Sequence, residues 1–285
     1  MDDKTIANVA VESLIEEAEL TPKPGLVDRL DNGAHDDLDL PLMIKSATSL
    51  RGTFREMARV THLQDPTQSM REEIAKIGRQ GELVMLQATN GTNTHKGAIW
   101  ALGLLVASTS ALGQDATDRG MAATAGKIAR FSDRHAPGGN SNGNRVMKKY
   151  GVPGARGEAE QGFPHVVNIG LPVLRKGREQ GVSETHARLN ALIALIASLD
   201  DTCILHRGGA KALLDAKKKA GIIVKHGGVS TKNGWRSLQK LNQSLLGYNA
   251  SPGGSADLLA ATLFLDKVEQ LNRKKSGMRS MIPTY

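Results

Sequence analysis

Four glycine-rich turns in the 285-residue chain carry basic or hydroxyl side chains, and most of them lead into a helical stretch. Residues 90–97 read NGTNTHKG, 151–158 read GVPGARGE, 206–211 read HRGGAK, and 251–257 read SPGGSAD. Near the start, TPKPGLVDR at 21–29 adds Lys23 and Arg29. Asn93 or Thr94 can cap the helix after NGTNTHKG, which leaves the first-turn amides near His95, Lys96 and Gly97 facing outward. Free amides at the positive end of a helix dipole bind anions, and Lys96 strengthens such a site. A single glycine after a helix is usually only a C-cap. Four such turns plus a basic TPKPG segment exceed what helix punctuation requires, and together they can enclose a polyphosphate. No GxxxxGK followed by Ser or Thr occurs, and no GxGxxG follows a strand, so neither familiar nucleotide-binding frame applies.

Carboxylates stand close to these turns. Asp36, Asp37 and Asp39 follow His35 in GAHDDLDL, Asp200 and Asp201 open DDTCILHRGG, and Asp28 and Asp257 adjoin glycine-rich segments. Carboxylates beside phosphate-binding cations suit magnesium, which takes one or two of them together with water and phosphate oxygens. The apolar run LNALIALIASL ahead of Asp200 and Asp201 reads as buried, and a buried acid needs a partner. On a continuous helix, Asp200, Cys203 and Arg207 share one face, and Thr202 and His206 another. No HExxH spacing is present, which argues against a catalytic zinc. Cys203, the single cysteine, lacks an activating elbow or third group and reads as a structural thiol.

Helices must position these groups. Apolar residues recur at helical spacing over 5–20, 42–60, 69–88, 97–112, 116–131, 184–205, 209–224, 231–246 and 255–271, and alternating patterns are short and rare. The expected fold is all-α, a compact multi-helix bundle in one domain spanning 1–285. The glycine- and asparagine-rich stretch 134–143 is expected to be a connection, and the basic end from about 273 a flexible tail. The uncharged segment 97–114 comes near a membrane-spanning length, but its Gly, Ser, Thr and Gln suit a buried core helix better. With no basic-then-apolar leader, the expected location is cytoplasmic. The net charge of +8 points to anionic partners, whereas aromatics at 3% offer few platforms for stacking single-stranded bases.

The segments TPKPGLVDR, NGAHDDLD, NTHKGAIWALGLL, YGVPGARGEAEQGFP, LDDTCILHRGG and NASPGGSADLLAATLFLD resemble the triphosphoribosyl-dephospho-CoA synthase family, in its order, from Glu19 to about Asp266. The resemblance implies an all-α transferase that joins ATP to 3′-dephospho-CoA and releases adenine. The product would be the prosthetic-group precursor for the acyl carrier protein of malonate decarboxylase or citrate lyase, loaded by a downstream transferase. The last two segments are worded closer to the malonate decarboxylase branch. Family members often place a histidine where this chain has Asn142, between Ser141 and Gly143.

In the implied reaction the 2′-hydroxyl of dephospho-CoA attacks the anomeric carbon of ATP's ribose through an oxocarbenium-like transition state. A carboxylate would take the hydroxyl proton, and a donor would assist the departing base. Asp201 is the expected catalytic carboxylate, with Asp200 beside it, and His95 and His206 are the expected proton donors. Lys23, Arg29, Lys96, Arg156 and Arg207 would hold phosphates, and Gly253, Gly254 and Ser255 would line a phosphate turn. Asp37 and Asp39 would bind magnesium or rival Asp201. Competing classes are a magnesium-dependent phosphohydrolase, a basic helical nucleic-acid binder and a CoA-nucleotide carrier. No recognition motif supports nucleic-acid binding, and a homodimer is the base-rate expectation.

Overall fold

The computed structural model describes residues 1–136 and 142–279, with side chains described except at 115 and 275–279. Among these residues there are thirteen α-helices and no strand. They are α1 (Asp3–Glu19), α2 (Leu40–Ser49), α3 (Arg51–Val60), α4 (Gln68–Ala88), α5 (Lys96–Leu112), α6 (Asp118–Arg130), α7 (Asn142–Tyr150), α8 (Gly154–Glu160), α9 (Leu171–Glu179), α10 (Glu184–Ser198), α11 (Thr202–Lys225), α12 (Lys232–Gly247) and α13 (Gly253–Arg279). One π-helical turn, Val166–Gly170, leads into α9.

Local chemistry sets most helix starts. Asp2, Asp39, Thr67, Thr117, Ser183, Asp201 and Thr231 each accept a first-turn amide hydrogen bond at the N-cap, which satisfies donors the helix itself leaves open. The uncharged run becomes α5, buried from Ala98 to Ser110 except at Trp100 and packed by α1, α3, α4, α6 and α13. Its hydroxyls are satisfied internally: Ser108 and Thr109 donate to the Leu105 carbonyl and Ser110 to that of Ala58. Gly103 lets Met57 of α3 press against the backbone, where a Cβ would meet its Sδ at 2.9 Å. Among the described residues no single helix is long and apolar enough to cross a membrane. α10 and α11 reach that length only as a pair bent by 60°.

Two expected helices are corrected. The stretch 42–60 divides at Leu50 into α2 and α3. The stretch 184–205 breaks at 199–201, and α11 restarts at Thr202 and turns sharply at Gly209, whose φ of 72° is left-handed. Asp200 therefore precedes α11 and shares no helical face with Cys203 and Arg207. The segments α7 to α9 went unrecognised because GVPG and GLP read as breakers, whereas the chain uses Gly154 and Pro172 in the first turn of new helices. Helix α13 continues to Arg279, past the expected tail start near 273; residues 280–285 lie outside the described residues, as does the centre of the expected connection, 137–141.

The positive charge is not spread evenly. Residues 211–240, covering most of α11 and the start of α12, carry eight Lys or Arg against the single acid Asp215.

Candidate active site

The glycine-rich segments come together although they are far apart in sequence. Gly25 donates its amide to Asn242 Oδ1 at 2.8 Å, and a Cβ at Gly25 would lie 2.9 Å from the Ala250 carbonyl. The Arg207 guanidinium then ties two loops to the start of α11. It donates to the Asn249 carbonyl at 2.8 Å, to Asn249 Oδ1 at 2.9 Å and to the Ala34 carbonyl, and it meets His35 Nδ1 at 3.1 Å. Burial and the Arg207 charge both hold the His35 pKa below its ordinary value. The turn before α8 closes the ring, with a Cβ at Gly154 falling 3.5 Å from Thr202 Cγ2.

At the centre of this ring, the starts of α11 and α13 share one buried carboxylate. Asp201 Oδ1 accepts the amides of Cys203 at 2.9 Å and of Ile204 and Gly254 at 3.3 Å. Its Oδ2 accepts the amide and hydroxyl of Ser255 at 2.7 and 2.8 Å. Burial pushes the Asp201 pKa up, and the Ser255, Cys203 and Ile204 hydrogen bonds oppose that rise. Gly253 and Gly254 permit the approach: Cβ atoms there would meet Cys203 Sγ at 3.0 Å and Asp201 Oδ1 at 3.1 Å. The SPGGS segment was expected to line a phosphate turn; in the structure the Gly254 and Ser255 amides hold the chain's own Asp201. Beside it, burial and the charges of Asp201 and Asp257 push the Cys203 thiol well up, which suppresses the thiolate.

Asp257, one turn further along α13, stands differently. Its carboxylate lies against the start of α5, where a Cβ at Gly97 would overlap Oδ2. It has no hydrogen-bond donor or ion-pair partner among the described residues, and it keeps a partial opening to solvent. Burial of the carboxyl, then the charges of Glu17 and Asp201, push its pKa well above the usual range. Glu17 is itself spent on Lys23, whose buried ammonium sits 2.6 Å from Glu17 Oε1 and 2.7 Å from its carbonyl. Nothing in the sequence marked Glu17, which sits on the buried stripe of α1.

The expected proton donors part company. His95 is 3% exposed, with Nδ1 at 2.8 Å from the Ser46 hydroxyl and Nε2 buried without a partner. Burial and the nearby Lys23 charge lower its pKa to about 4, so the ring is neutral at pH 7. His206 is exposed on the short first segment of α11.

The expected phosphate-holding cations divide into two groups. Lys23 and Arg207 are committed to the internal contacts just described. Arg29, Lys96 and Arg156 are exposed and make surface ion pairs with Glu19 at 3.0 Å, Glu82 at 2.8 Å and Glu160 at 2.7 Å. Such pairs contribute about 0–1 kcal/mol each, so a phosphate displaces them readily. Of the acids, Asp200 is exposed and paired with Lys217 at 2.7 Å. Asp39 caps α2 by accepting the Leu42 amide at 2.8 Å, and Asp37 lies exposed 3.6 Å from His35 Nδ1. The described residues form no cluster of three or more His, Cys, Asp or Glu able to hold a metal ion.

A second polar cleft lies between α9, α10 and α13, lined by Arg178, Arg188, Asp266 and Lys267. Its charges satisfy each other: Arg178 pairs with Asp266 at 2.6 Å, Arg188 with Glu184 at 2.6 Å and Lys267 with Glu16 at 2.7 Å. It joins helices and offers no free group for chemistry.

Comparison with known proteins agrees with the arrangement of segments. Residues 3–276 match the family model described as ATP:dephospho-CoA triphosphoribosyl transferase. A Klebsiella pneumoniae protein named 2-(5″-triphosphoribosyl)-3′-dephosphocoenzyme-A synthase is 46% identical over 263 residues, covering 92% of this chain and 94% of its own length. A Pseudomonas putida protein, provisionally given the same name, is 50% identical over 267 residues, with 93% and 95% covered. Among solved structures, an Archaeoglobus fulgidus protein provisionally described as a triphosphoribosyl-dephospho-CoA synthase shares the fold. Its TM-score is 0.53 at 18% identity, over 79% of this chain and 97% of that one. A match along nearly the whole chain, with relatives near half identity, carries the resemblance read from the six segments to its conclusion: the chain belongs to the ATP:dephospho-CoA triphosphoribosyl transferase family.

Proposed function

We propose that this chain performs its family's triphosphoribosyl transfer in the cleft where the starts of α5, α11 and α13 meet the TPKPG and NGAHDD loops. The observation that supports this site is the meeting of sequence-distant glycine-rich segments around the starts of α11 and α13, where the part-open carboxylate of Asp257 lies against Gly97 of the NGTNTHKG segment. The 2′-hydroxyl oxygen of 3′-dephospho-CoA forms a bond to the anomeric carbon of ATP's ribose as the carbon–nitrogen bond to adenine breaks. The bonding pair leaves on adenine, which takes up one proton, and the hydroxyl gives one up. Asp257 receives the hydroxyl proton, since its lone pairs are unspent and its raised pKa makes it a stronger base than an ordinary carboxylate. Asp201 is assigned instead to holding α11 and α13 in register. His206, exposed on the first segment of α11, is the proposed donor to the departing base.

The triphosphate is carried through the reaction intact, so cations need only position it. Arg29, Lys96 and Arg156 suit that task because all three cations are exposed and each is held by an ion pair at the surface. Magnesium enters in this account with the triphosphate as part of the substrate, and Asp37 is the carboxylate left open to it. We place the product in the malonate decarboxylase branch, on the wording of DDTCILHRGG and NASPGGSADLLAATLFLD, with a cytoplasmic downstream transferase loading an acyl carrier protein.

The test is chromatographic. Protein incubated with ATP, magnesium and 3′-dephospho-CoA is expected to release free adenine only when both nucleotides are present, with a coupled product that retains three phosphates from ATP. Release of inorganic phosphate without adenine would instead establish the phosphohydrolase reading.

A further inference from the structure

An arginine outside this cleft has no counter-charge of its own. Arg71, in the first turn of α4, is only 8% exposed, and its Nε is buried without a hydrogen-bond partner. Its guanidinium lies 5.0 Å from the centre of the Trp100 ring. That cation–π contact uses the ring face and leaves the in-plane Nε–H without a partner among the described residues. The ring is fixed in turn, because the Trp100 indole N–H donates to the Ala155 carbonyl at 3.1 Å, beside Arg156 of α8.

Charges of both signs act on Arg71. Burial is the main influence and lowers its pKa, Asp133 opposes that, and Arg156 and Arg79 lower it further by charge. The acids within reach are Asp133 and Glu72, and both are committed elsewhere. Asp133 pairs with Arg79, and Glu72 pairs with Arg134 and accepts from Gln68 at 2.8 Å. A buried charge without a paired and hydrogen-bonded partner is costly. Three guanidiniums gathered without a free carboxylate become favourable when an external anion joins them. Trp100 and Gly97 lie three residues apart on α5 and so share a helical face, which puts this cluster one turn from the Asp257 contact.

We propose that Arg71, oriented by Trp100 and assisted by Arg156, is an anion subsite that binds a di- or triphosphate group of a nucleotide substrate. This rests on the cleft reading above and adds to it a second phosphate position along α5. Planar bidentate donation to phosphate oxygens suits arginine and not lysine.

Trp100 supplies a readout independent of turnover. In a Trp235→Phe background Trp100 is the single tryptophan, since the chain has two. Its emission is expected to change saturably on titration with inorganic pyrophosphate, and with whichever of ATP or 3′-dephospho-CoA places its phosphates there. Arg71→Met keeps the apolar stem and removes the charge. It is expected to unfold at the same temperature or higher and to weaken pyrophosphate binding at least about tenfold. Should that variant not fold, Arg71→Lys retains the charge and is expected to lose affinity through the missing fork. Pyrophosphate and nucleotide affinities unchanged in the folded variant, or Trp100 emission unmoved by all three ligands, would overturn the proposal. Loss of Arg71-dependent binding in a protein that still releases adenine removes this subsite alone. Arg71-dependent binding without adenine release by the unsubstituted protein removes the transfer reading and keeps the subsite.

Discussion

Asp257→Asn is expected to lower kcat by about 10²- to 10⁴-fold, the usual contribution of a general base, while KM for both nucleotides stays within about threefold. The substitution is nearly isosteric, and it removes a charge that Glu17 and Asp201 both oppose, so the unfolding midpoint is not expected to fall. The pH profile carries a sharper signature. The carboxylate is the active form and its pKa lies well above the ordinary range. Activity of the unsubstituted protein therefore falls as pH drops through that raised value, on an acid limb displaced upward from that of an ordinary aspartate. Burial of the carboxyl sets this limb first, followed by the charges of Glu17 on α1 and Asp201 at the start of α11. In the Asn variant the limb is expected to vanish. Retention of both kcat and the limb would remove Asp257 from the chemistry.

Asp201→Ala is expected to act on the fold. Five donors from two helix starts converge on that carboxylate, and truncation leaves them buried and unpaired. Breaking a buried charged network from one side costs about 3–5 kcal/mol, a large share of the total stability of a typical domain. Denaturant unfolding at pH 7 would measure it. Asp201→Asn, which keeps an acceptor oxygen but adds donors, is expected to cost about 1–3 kcal/mol and to leave the folded enzyme active. A fully folded but inactive Asn variant would return the catalytic role to Asp201. The two aspartates make a contrasting pair: one has every oxygen occupied and organises helices, the other has unspent lone pairs and an opening to solvent.

Much of this site was legible in the sequence because glycine, proline and asparagine act locally. Those residues marked the turns, and the turns converge as an anion-binding cleft requires. What each helix start would bind was not legible, since an N-terminus accepts an internal carboxylate as readily as a phosphate. SPGGS was matched to a substrate anion, but its amides hold Asp201, more than fifty residues earlier in the chain. Lys23 and Arg207 were assigned to phosphates by type, whereas their partners, Glu17 and the Asn249 loop, are set by tertiary packing alone. Arg71 was missed for the converse reason. In QSMREEIAKIGRQ it reads as one charge on a solvated helix face, and only the approach of Trp100 from α5 reveals its burial. The all-α class needed no tertiary information, because helical periodicity recurs along most of the chain.

The central claim is where the substrates sit, and amide hydrogen exchange with ATP and 3′-dephospho-CoA bound tests it most directly. Slowed exchange is predicted at the α5 start around 96–97, through the 32–39 loop and across 153–157, where Arg156 and the Trp100 contact lie. Protection confined to the charged cleft of Arg178, Arg188 and Lys267, with no change at those three segments, would contradict the account.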